Sequence, residues 1–247
     1  MSLPLHEVDL GPGVRAGFTS ARSGFNLSLT LGDDPAAVLA RRERLAGWAG
    51  APLAYAWQVH GADVLVCTDL PDPAQEVVGV ADALLTVRDD VGLAVLVADC
   101  VPVLLADPQA RVVATAHAGR RGLVAGVIDA VLREMVRAGA EPSRTVAAVG
   151  PAACGRCYEV PPEMQREVDA VVPGTASTTS WGTPALDLPG AVGRRLAVAG
   201  VRVEHVGGCT IEDPQWFSHR ASATAADGGP PRPPGRSAGV VRLLPRE

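Results

Sequence analysis

Three side chains that could hold a transition metal stand far apart in the chain: His60, Cys100 and His117. Each occupies a turn after an apolar, strand-like run, and strand ends of a rigid scaffold direct side chains to a common point. Two imidazoles and a thiolate suit zinc and leave a fourth position for a water whose pKa the ion lowers. The residue types therefore predict a catalytic metal site, although their separations match no short zinc motif.

The same residues permit a second interpretation. Cys100 could be a nucleophile, with His117 as its base and Asp99 or His60 as the orienting group. A thiolate beside imidazole is needed in both cases, so the sequence leaves the metal site and the Cys–His dyad open. Two turn histidines and a buried cysteine without chemical roles are a third interpretation.

All 22 basic residues are arginines. The absence of lysine excludes a Schiff-base or P-loop lysine, so arginine forks, backbone N–H groups or a metal must hold any phosphate. Arg121, between Gly119 and Gly122 at a predicted helix start, is a candidate anion ligand. Arg220 and Arg236 border the Ala-, Gly- and Pro-rich segment 221–236, which we predict to be a flexible lid or disordered. These two arginines are candidate substrate ligands, or else part of a solvated turn.

Five cysteines make an odd count, and the N-terminus lacks the pattern of a secretory signal. We therefore expect a cytoplasmic protein with free thiols. Cys154 and Cys157 have C-x-x-C spacing but lack a second pair at a suitable distance, so we interpret this spacing as coincidental. Cys209 follows a predicted strand and could line the substrate pocket, or simply be a buried cysteine.

The composition is that of a globular protein, with 47% apolar and 20% charged residues among 247. The net charge of -5 argues against a protein that binds nucleic acid non-specifically. No apolar run approaches the roughly 18 residues needed to span a membrane. Neither nucleic acid nor a membrane is therefore an expected partner.

Strand and helix patterns mix throughout, which predicts an α/β (α+β) fold in one domain over residues 1–247. The predicted strands cover residues 14–19, 55–59, 63–67, 92–98, 102–106, 111–116, 145–149, 201–206 and 238–243. A helix of about fifteen residues should begin at Pro35, with Asp34 as its N-cap. Further helices are predicted after His117 up to Gly139, over 161–171, and over 188–199 with Asp187 as N-cap.

Several short strings occur together in a characteristic order: Gln58-Val59-His60-Gly61, Ala81-Asp82-Ala83, Ala98-Asp99-Cys100-Val101-Pro102, His117-Ala118-Gly119, Gly150-Pro151, Tyr158-Glu159-Val160, Cys209-Thr210, Phe217-Ser218-His219-Arg220 and Gly235-Arg236. In this combination the chain resembles the YfiH/YlmD/FAMIN family. Its members have been called multicopper polyphenol oxidases or laccases and include the peptidoglycan editing factor PgeF. The resemblance covers nearly the whole chain.

The resemblance implies a single domain with mixed β-sheets layered between helices, distantly like the deamidase domain of cytotoxic necrotizing factor. It places the family's metal ligands at His60, Cys100 and His117, with zinc expected and copper as the alternative. It implies phosphorolysis of adenosine, inosine and methylthioadenosine, and adenosine deamination. Asp99 or Glu159 would then transfer protons, and phosphate would bind near Arg121 or Arg220.

This chain departs from the family pattern at two places. Arg120 stands where the family has tryptophan, which puts purine stacking in question, and Ala221 with a Pro-rich insertion replaces a second arginine. A cysteine-type amidase that edits peptidoglycan precursors, with Cys100 as nucleophile, is the alternative activity. Copper-dependent phenol oxidation ranks last, because five histidines are few for a multicopper enzyme.

Overall fold

The computed structural model describes residues 3–72, 75–223 and 232–246. Its strands are β1 Leu5–Val8, β2 Val14–Thr19, β3 Leu53–Ala54, β4 Val64–Val66, β5 Ala83–Thr86, β6 Gly92–Val97, β7 Val101–Asp107, β8 Val112–Ala118, β9 Val146–Val149, β10 Ala176–Thr178, β11 Pro184–Leu186, β12 Arg202–His205 and β13 Ser237–Leu243. Its α-helices are α1 Pro35–Ala49, α2 Arg120–Ala125, α3 Val127–Arg137, α4 Pro162–Val171, α5 Leu188–Val198 and α6 His219–Ala223.

Two mixed sheets form the frame. One has six strands in the order β12-β9-β7-β8-β5-β4, and the other has five in the order β1-β2-β13-β6-β3. β3–β6, β4–β5 and β9–β12 pair in parallel, and the remaining pairs are antiparallel. Strands β10 and β11 make a separate antiparallel pair. These observations confirm the predicted α/β class with mixed sheets.

The sheets and helices stack in layers. Along β7, Leu104 faces a core shared with the five-stranded sheet, whereas Leu105 faces a core shared with α3 and α5. On the far side of the five-stranded sheet, Leu45 of α1 packs against Ala94 and Val240. The central strands are therefore covered on both faces, which explains their continuous apolar runs.

Two predicted elements were wrong in a way that bears on the site. Instead of a strand over 55–59, only β3 pairs with β6, and the chain then leaves the sheet. The Gln58 amide group continues the ladder in its place: its Oε1 accepts from the Leu96 N–H at 2.9 Å and its Nε2 donates to the Leu96 carbonyl at 2.8 Å. A side chain thus replaces a strand, and the backbone is released to turn at His60.

The helix predicted after His117 is interrupted. Gly126 adopts a left-handed conformation with φ 86° and separates α2 from α3. Glycine adopts this conformation at little steric cost. The helical spacing of the apolar residues therefore continues past Gly126, although the helical backbone is broken there. Strand β5, which lies inside the six-stranded sheet, was not predicted, because its four residues are too few to show a period.

The segment 221–236 was predicted as a flexible or disordered loop. Its first residues, up to Ala223, instead complete α6, and residues 232–236 run without regular structure into β13. Residues 224–231 lie outside the described residues. Within the described ranges, no helix is both long and apolar enough to cross a membrane.

Candidate functional site

His60, Cys100 and His117 converge, with one ligand atom from each lying within 4.8 Å of the others. Cys100 occupies the turn between β6 and β7, and His117 is the second-last residue of β8. His60 follows the segment held by Gln58 and has a left-handed φ of 61°. The His60 Nε2 and Cys100 Sγ atoms are 3.7 Å apart, and the two imidazole rings meet edge to face with centroids 4.7 Å apart.

A buried carboxylate, Asp82, organises both histidines. Its Oδ1 accepts from His117 Nδ1 at 2.8 Å and from the His60 backbone N–H at 2.9 Å. Its Oδ2 accepts from the N–H groups of Gly61 at 2.7 Å and Val59 at 3.1 Å. With Nδ1 occupied, the Nε2 of His117 is left as the metal-binding or basic nitrogen.

Asp82 is a site residue without a predicted chemical role. The signal that could have found it is a single carboxylate inside the apolar run Ala81–Leu85, because a buried charge requires partners. Its contacts also correct the proposed orienting group of His117, which is Asp82 and not Asp99 or His60.

The protonation states at the cluster are displaced from their ordinary values. Burial favours the neutral thiol of Cys100, but hydrogen bonds with His117 and His60 outweigh it and lower the pKa of Cys100 to about 6. Burial likewise disfavours a charged His117, but Asp82 and the Cys100 thiolate raise the pKa of His117 to about 9. Without a metal, the pair at neutral pH is therefore a thiolate beside an imidazolium.

Two glycines of the segment after His117 let the backbone of α2 approach the cluster. A Cβ on Gly119 would lie 2.8 Å from Cδ2 of His60 and 3.0 Å from Sγ of Cys100. A Cβ on Gly122 would lie 2.8 Å from the carbonyl oxygen of Gly61. The space beside both glycines is thus taken by the site itself, through the His60 turn and the Cys100 sulfur.

Asp99 has a left-handed φ of 79°. Both of its carboxylate oxygens accept hydrogen bonds from other parts of the chain. Its Oδ1 accepts from the Thr210 hydroxyl at 2.6 Å, and its Oδ2 accepts from the Arg220 backbone N–H at 2.7 Å. Asp99 therefore ties the start of α6 to the turn that carries Cys100.

A cavity of about 590 Å³ opens over the cluster. Among the described residues, two acidic side chains line it, Asp99 and Glu76. The arginines that line it are five: Arg42, Arg120, Arg121, Arg220 and Arg236. The predicted ligands Arg121, Arg220 and Arg236 are thus brought to one cavity. Arg120, in the position of the family's tryptophan, also faces it.

The cavity also has aromatic walls. Trp57 lines it with 53% of its surface exposed, and Tyr158 lies under the Arg220 guanidinium, whose carbon is 5.5 Å from the ring centroid. Glu159, proposed for proton transfer, is not among the described lining residues, and its carboxylate accepts from the Trp181 indole N–H at 3.0 Å.

Cys209 lies elsewhere than the predicted pocket wall. It is absent from the described residues that line the cavity, and it is grouped instead with Cys154, Cys157 and Glu212. The C-x-x-C spacing was interpreted as coincidental because no second pair follows in sequence. The missing partners come from a distant turn.

The His–Cys–His cluster has the donor types and the convergence of a transition-metal site. Its donors converge, one imidazole is oriented by a carboxylate behind it, and its thiol ionises readily. Copper sites with catalytic oxidase function use more imidazoles than this cluster offers.

The protein thus belongs to the α/β class, with two packed mixed sheets. Its candidate metal site, the His–Cys–His cluster, lies at strand ends beneath a cavity lined by arginines. Residues 13–243 match the model of the multi-copper polyphenol oxidoreductase laccase family, and the chain belongs to this YfiH-like family. The family assignment made from the sequence is thereby confirmed.

Relatives of the chain carry names of nucleoside enzymes. It is 52% identical over 222 residues to the purine nucleoside phosphorylase ORF3 of Streptomyces griseus, covering 88% of this chain and 86% of that one. It is 40% identical over 154 residues to the adenosine deaminase RL5 of an unknown prokaryotic organism, covering 59% and 58%. The crystal structure of YlmD from Geobacillus stearothermophilus superposes with a TM-score of 0.83 at 30% identity, covering 99% of this chain and 100% of that one.

Proposed function

We propose that this protein is a zinc-dependent purine nucleoside phosphorylase that acts on adenosine, inosine and methylthioadenosine. The observation that carries the proposal is the opening of the His60–Cys100–His117 cluster into a cavity rich in arginine. The name of the Streptomyces griseus relative agrees with this chemistry.

Phosphate is the co-substrate that the arginines suit. Guanidinium groups bind phosphate oxygens through paired N–H donors, and this chain has no lysine for the task. Arg220 is held close to the cluster through the bond of its backbone N–H to Asp99. In the proposed reaction, an oxygen of hydrogen phosphate bonds to C1′ of the ribose while the C1′–N9 bond breaks, and the proton that the phosphate gives up passes through solvent to the departing base.

The aromatic walls suit the base. Exposed Trp57 and the Tyr158 ring offer flat surfaces on which a purine can stack, so the loss of tryptophan at Arg120 leaves stacking surfaces available. A guanidinium at Arg120 also adds a donor at the cavity wall.

His60, Cys100 and His117 would hold the zinc ion, which supplies a Lewis acid at an open coordination position. Asp82 keeps His117 in the tautomer that presents Nε2. Asp99 acts as a positioning residue, since both of its oxygens hold the walls of the site.

The experiment is chromatography of each nucleoside after incubation with and without phosphate. Phosphorolysis releases the free base and ribose 1-phosphate only when phosphate is present. We expect Arg121→Ala to raise the KM for phosphate about 10-fold through the loss of a charged contact, with a smaller change in the KM for inosine. Arg133→Ala, an exposed arginine of α3 outside the cavity lining, is the matched control.

Two results would contradict the proposal: unchanged nucleosides under all conditions, or base release that is independent of phosphate. Equal phosphate KM values in the Arg121 and Arg133 variants would remove the role given to Arg121.

Adenosine deamination is the second candidate, favoured by the similarity to the RL5 deaminase. It would convert adenosine to inosine and ammonia without phosphate, so the same chromatograms distinguish it by the appearance of inosine.

A Cys100-dependent amidase is the remaining alternative, because Cys100, His117 and Asp82 also have the order of a nucleophile, a base and an orienting carboxylate. Covalent labelling of Cys100 by a peptidoglycan-precursor analogue, with activity retained after zinc removal, would favour it over the phosphorylase.

A further inference from the structure

A second cluster of metal-ligating side chains lies apart from the cavity. Ligand atoms of Cys154, Cys157, Cys209 and Glu212 all lie within 4.8 Å of one another. In a tetrahedral zinc site with Zn–S bonds of about 2.3 Å, sulfur atoms are separated by about 3.8 Å. The four donors are therefore near the spacing that one ion would require, and small side-chain adjustments would complete it.

The sequence spacing repeats within this cluster. Cys154 and Cys157 are separated by two residues, and so are Cys209 and Glu212. Both pairs occupy tight turns: the Cys157 N–H donates to the Cys154 carbonyl at 3.0 Å, and the Asp213 N–H donates to the Cys209 carbonyl at 2.9 Å. Two such turns facing each other are the architecture of structural zinc sites.

Backbone contacts join the two turns without any metal ion. Ala152 and Cys209 form a parallel bridge, and the Thr210 N–H donates to the Ala152 carbonyl at 3.1 Å. The Cys154 N–H points to the Cys209 sulfur at 3.4 Å, an N–H···S contact that would stabilise a thiolate. The donors are thus preorganised.

The surroundings supply charge and burial. Arg232 donates from Nη2 to the carbonyls of Thr210 at 2.5 Å and Ile211 at 2.9 Å, which puts a cation beside a site of up to three thiolates and a carboxylate. Cys157 and Cys209 are buried, whereas Glu212 is exposed.

We propose that Cys154, Cys157, Cys209 and Glu212 form a second, structural zinc site. Binding releases the thiol protons to solvent and closes the coordination shell with four protein ligands, so this site holds no open position. A copper(I) ion would find fewer suitable donors here, because carboxylate is a hard ligand.

The site would brace one wall of the cavity. Tyr158, which lines the cavity, directly follows the first turn, and its N–H donates to the Cys154 carbonyl at 2.9 Å. Thr210 lies in the second turn and donates to Asp99, which in turn holds the Arg220 backbone. An ion that joins the two turns would therefore position both Tyr158 and Arg220.

The test is zinc content by mass spectrometry of the whole chain purified without added metal. We expect about two zinc ions per chain in the natural protein, and about one in Cys157→Ser and in the double variant His60→Ala/His117→Ala. Cys67→Ala, which removes a buried thiol outside both clusters, should keep about two.

Because a cysteine substitution could prevent folding, two further measurements use milder changes. Glu212→Ala, at an exposed side chain, should release one zinc faster to a chelator than the natural protein does. Cobalt loaded into the His60→Ala/His117→Ala variant should give strong thiolate-to-cobalt absorbance, and adding Glu212→Ala to that variant should change its spectrum.

The proposal is overturned by a Cys154–Cys157 disulfide in protein isolated without reductant, or by a cobalt spectrum without thiolate bands in the double histidine variant. A single zinc that is lost only with His60 and His117 also overturns it. None of these readouts depends on nucleoside turnover.

Discussion

The cluster of His60, Cys100 and His117 depends on a residue that is not among the described residues lining the cavity. Asp82 accepts from both the His117 ring and the His60 backbone, so one carboxylate sets the orientation of two ligands. Its pKa is lowered, because hydrogen bonds from His117 and the Gly61 and Val59 N–H groups outweigh the burial that would raise it. The carboxylate is therefore charged at neutral pH and can stabilise a cation in the cluster.

Replacement of Asp82 by asparagine should weaken zinc binding by about 10- to 100-fold, because the amide cannot provide the negative charge behind His117 and turns an N–H group toward other donors. Competition with a chelator measures the change. The control is Asp63→Asn, an exposed carboxylate nearby in the chain. Equal zinc affinity in both variants would show that Asp82 only supports the fold.

The Cys100 thiol gives a pH prediction for metal-free protein. A thiolate is the form that reacts with iodoacetamide, so alkylation should rise as pH increases through about 6 and level off above it. His117→Ala should move this midpoint upward, since the imidazole that favours the thiolate is removed. Mass spectrometry of the labelled peptide measures the rate.

Cys67 is the internal control for this experiment. Burial raises its pKa to about 11, so it should stay unlabelled at neutral pH. A midpoint for Cys100 near the ordinary thiol value of 9.0, unaffected by His117→Ala, would be incompatible with the geometry described.

At the scale of elements, the site depends on how closely α2 approaches the His60 turn. The short helix starts beside the cluster, and Gly119 leaves no room for a side chain. The turn at His60 is itself held in place, because the side chain of Gln58 makes two hydrogen bonds to the backbone of Leu96 in β6. The Gln58 side chain and Gly119 therefore position His60, a task that a regular strand and helix would otherwise perform.

Gly119→Ala should impair zinc binding and turnover while the protein stays folded, because the new methyl group would displace His60 or Cys100. Activity and thermal denaturation are the measurements. Gly47→Ala is the matched control: it lies in α1 with open space around it and should stabilise the helix by about 0.5–1 kcal/mol. Full activity of Gly119→Ala would mean that the close packing has no functional role.

At the scale of the whole molecule, the two large sheets share a core in which Leu104 is fully buried. β13 pairs with both β2 and β6, so the last strand joins the first part of the chain to its middle, which favours the single-domain prediction. The strand ends that carry the site are therefore held by the whole fold.

Leu104→Ala should destabilise the protein by about 2–5 kcal/mol, because a cavity would remain between the two sheets. Urea denaturation measures the loss. Val198→Ala, at a side chain that is 89% exposed, should change the stability by no more than about 0.5 kcal/mol. Similar losses in the two variants would argue against a tightly packed core between the sheets.

The sequence alone determined features that residue type and local period encode. Strand β2 and the start of α1 with its Asp34 cap were predicted to the residue, because a pattern or a capping side chain marks them locally. The family was recognised from short strings in order. The absence of lysine restricted how phosphate could be bound.

Only the tertiary structure decided which distant residues meet. Asp82 behind His117 and the path of the chain before His60 depend on contacts between separate strands. The partners of the Cys154–Cys157 pair come from a turn more than fifty residues later. Local patterns carry no information on such pairings, because long-range contacts form only when both sheets pack and bring their ends together.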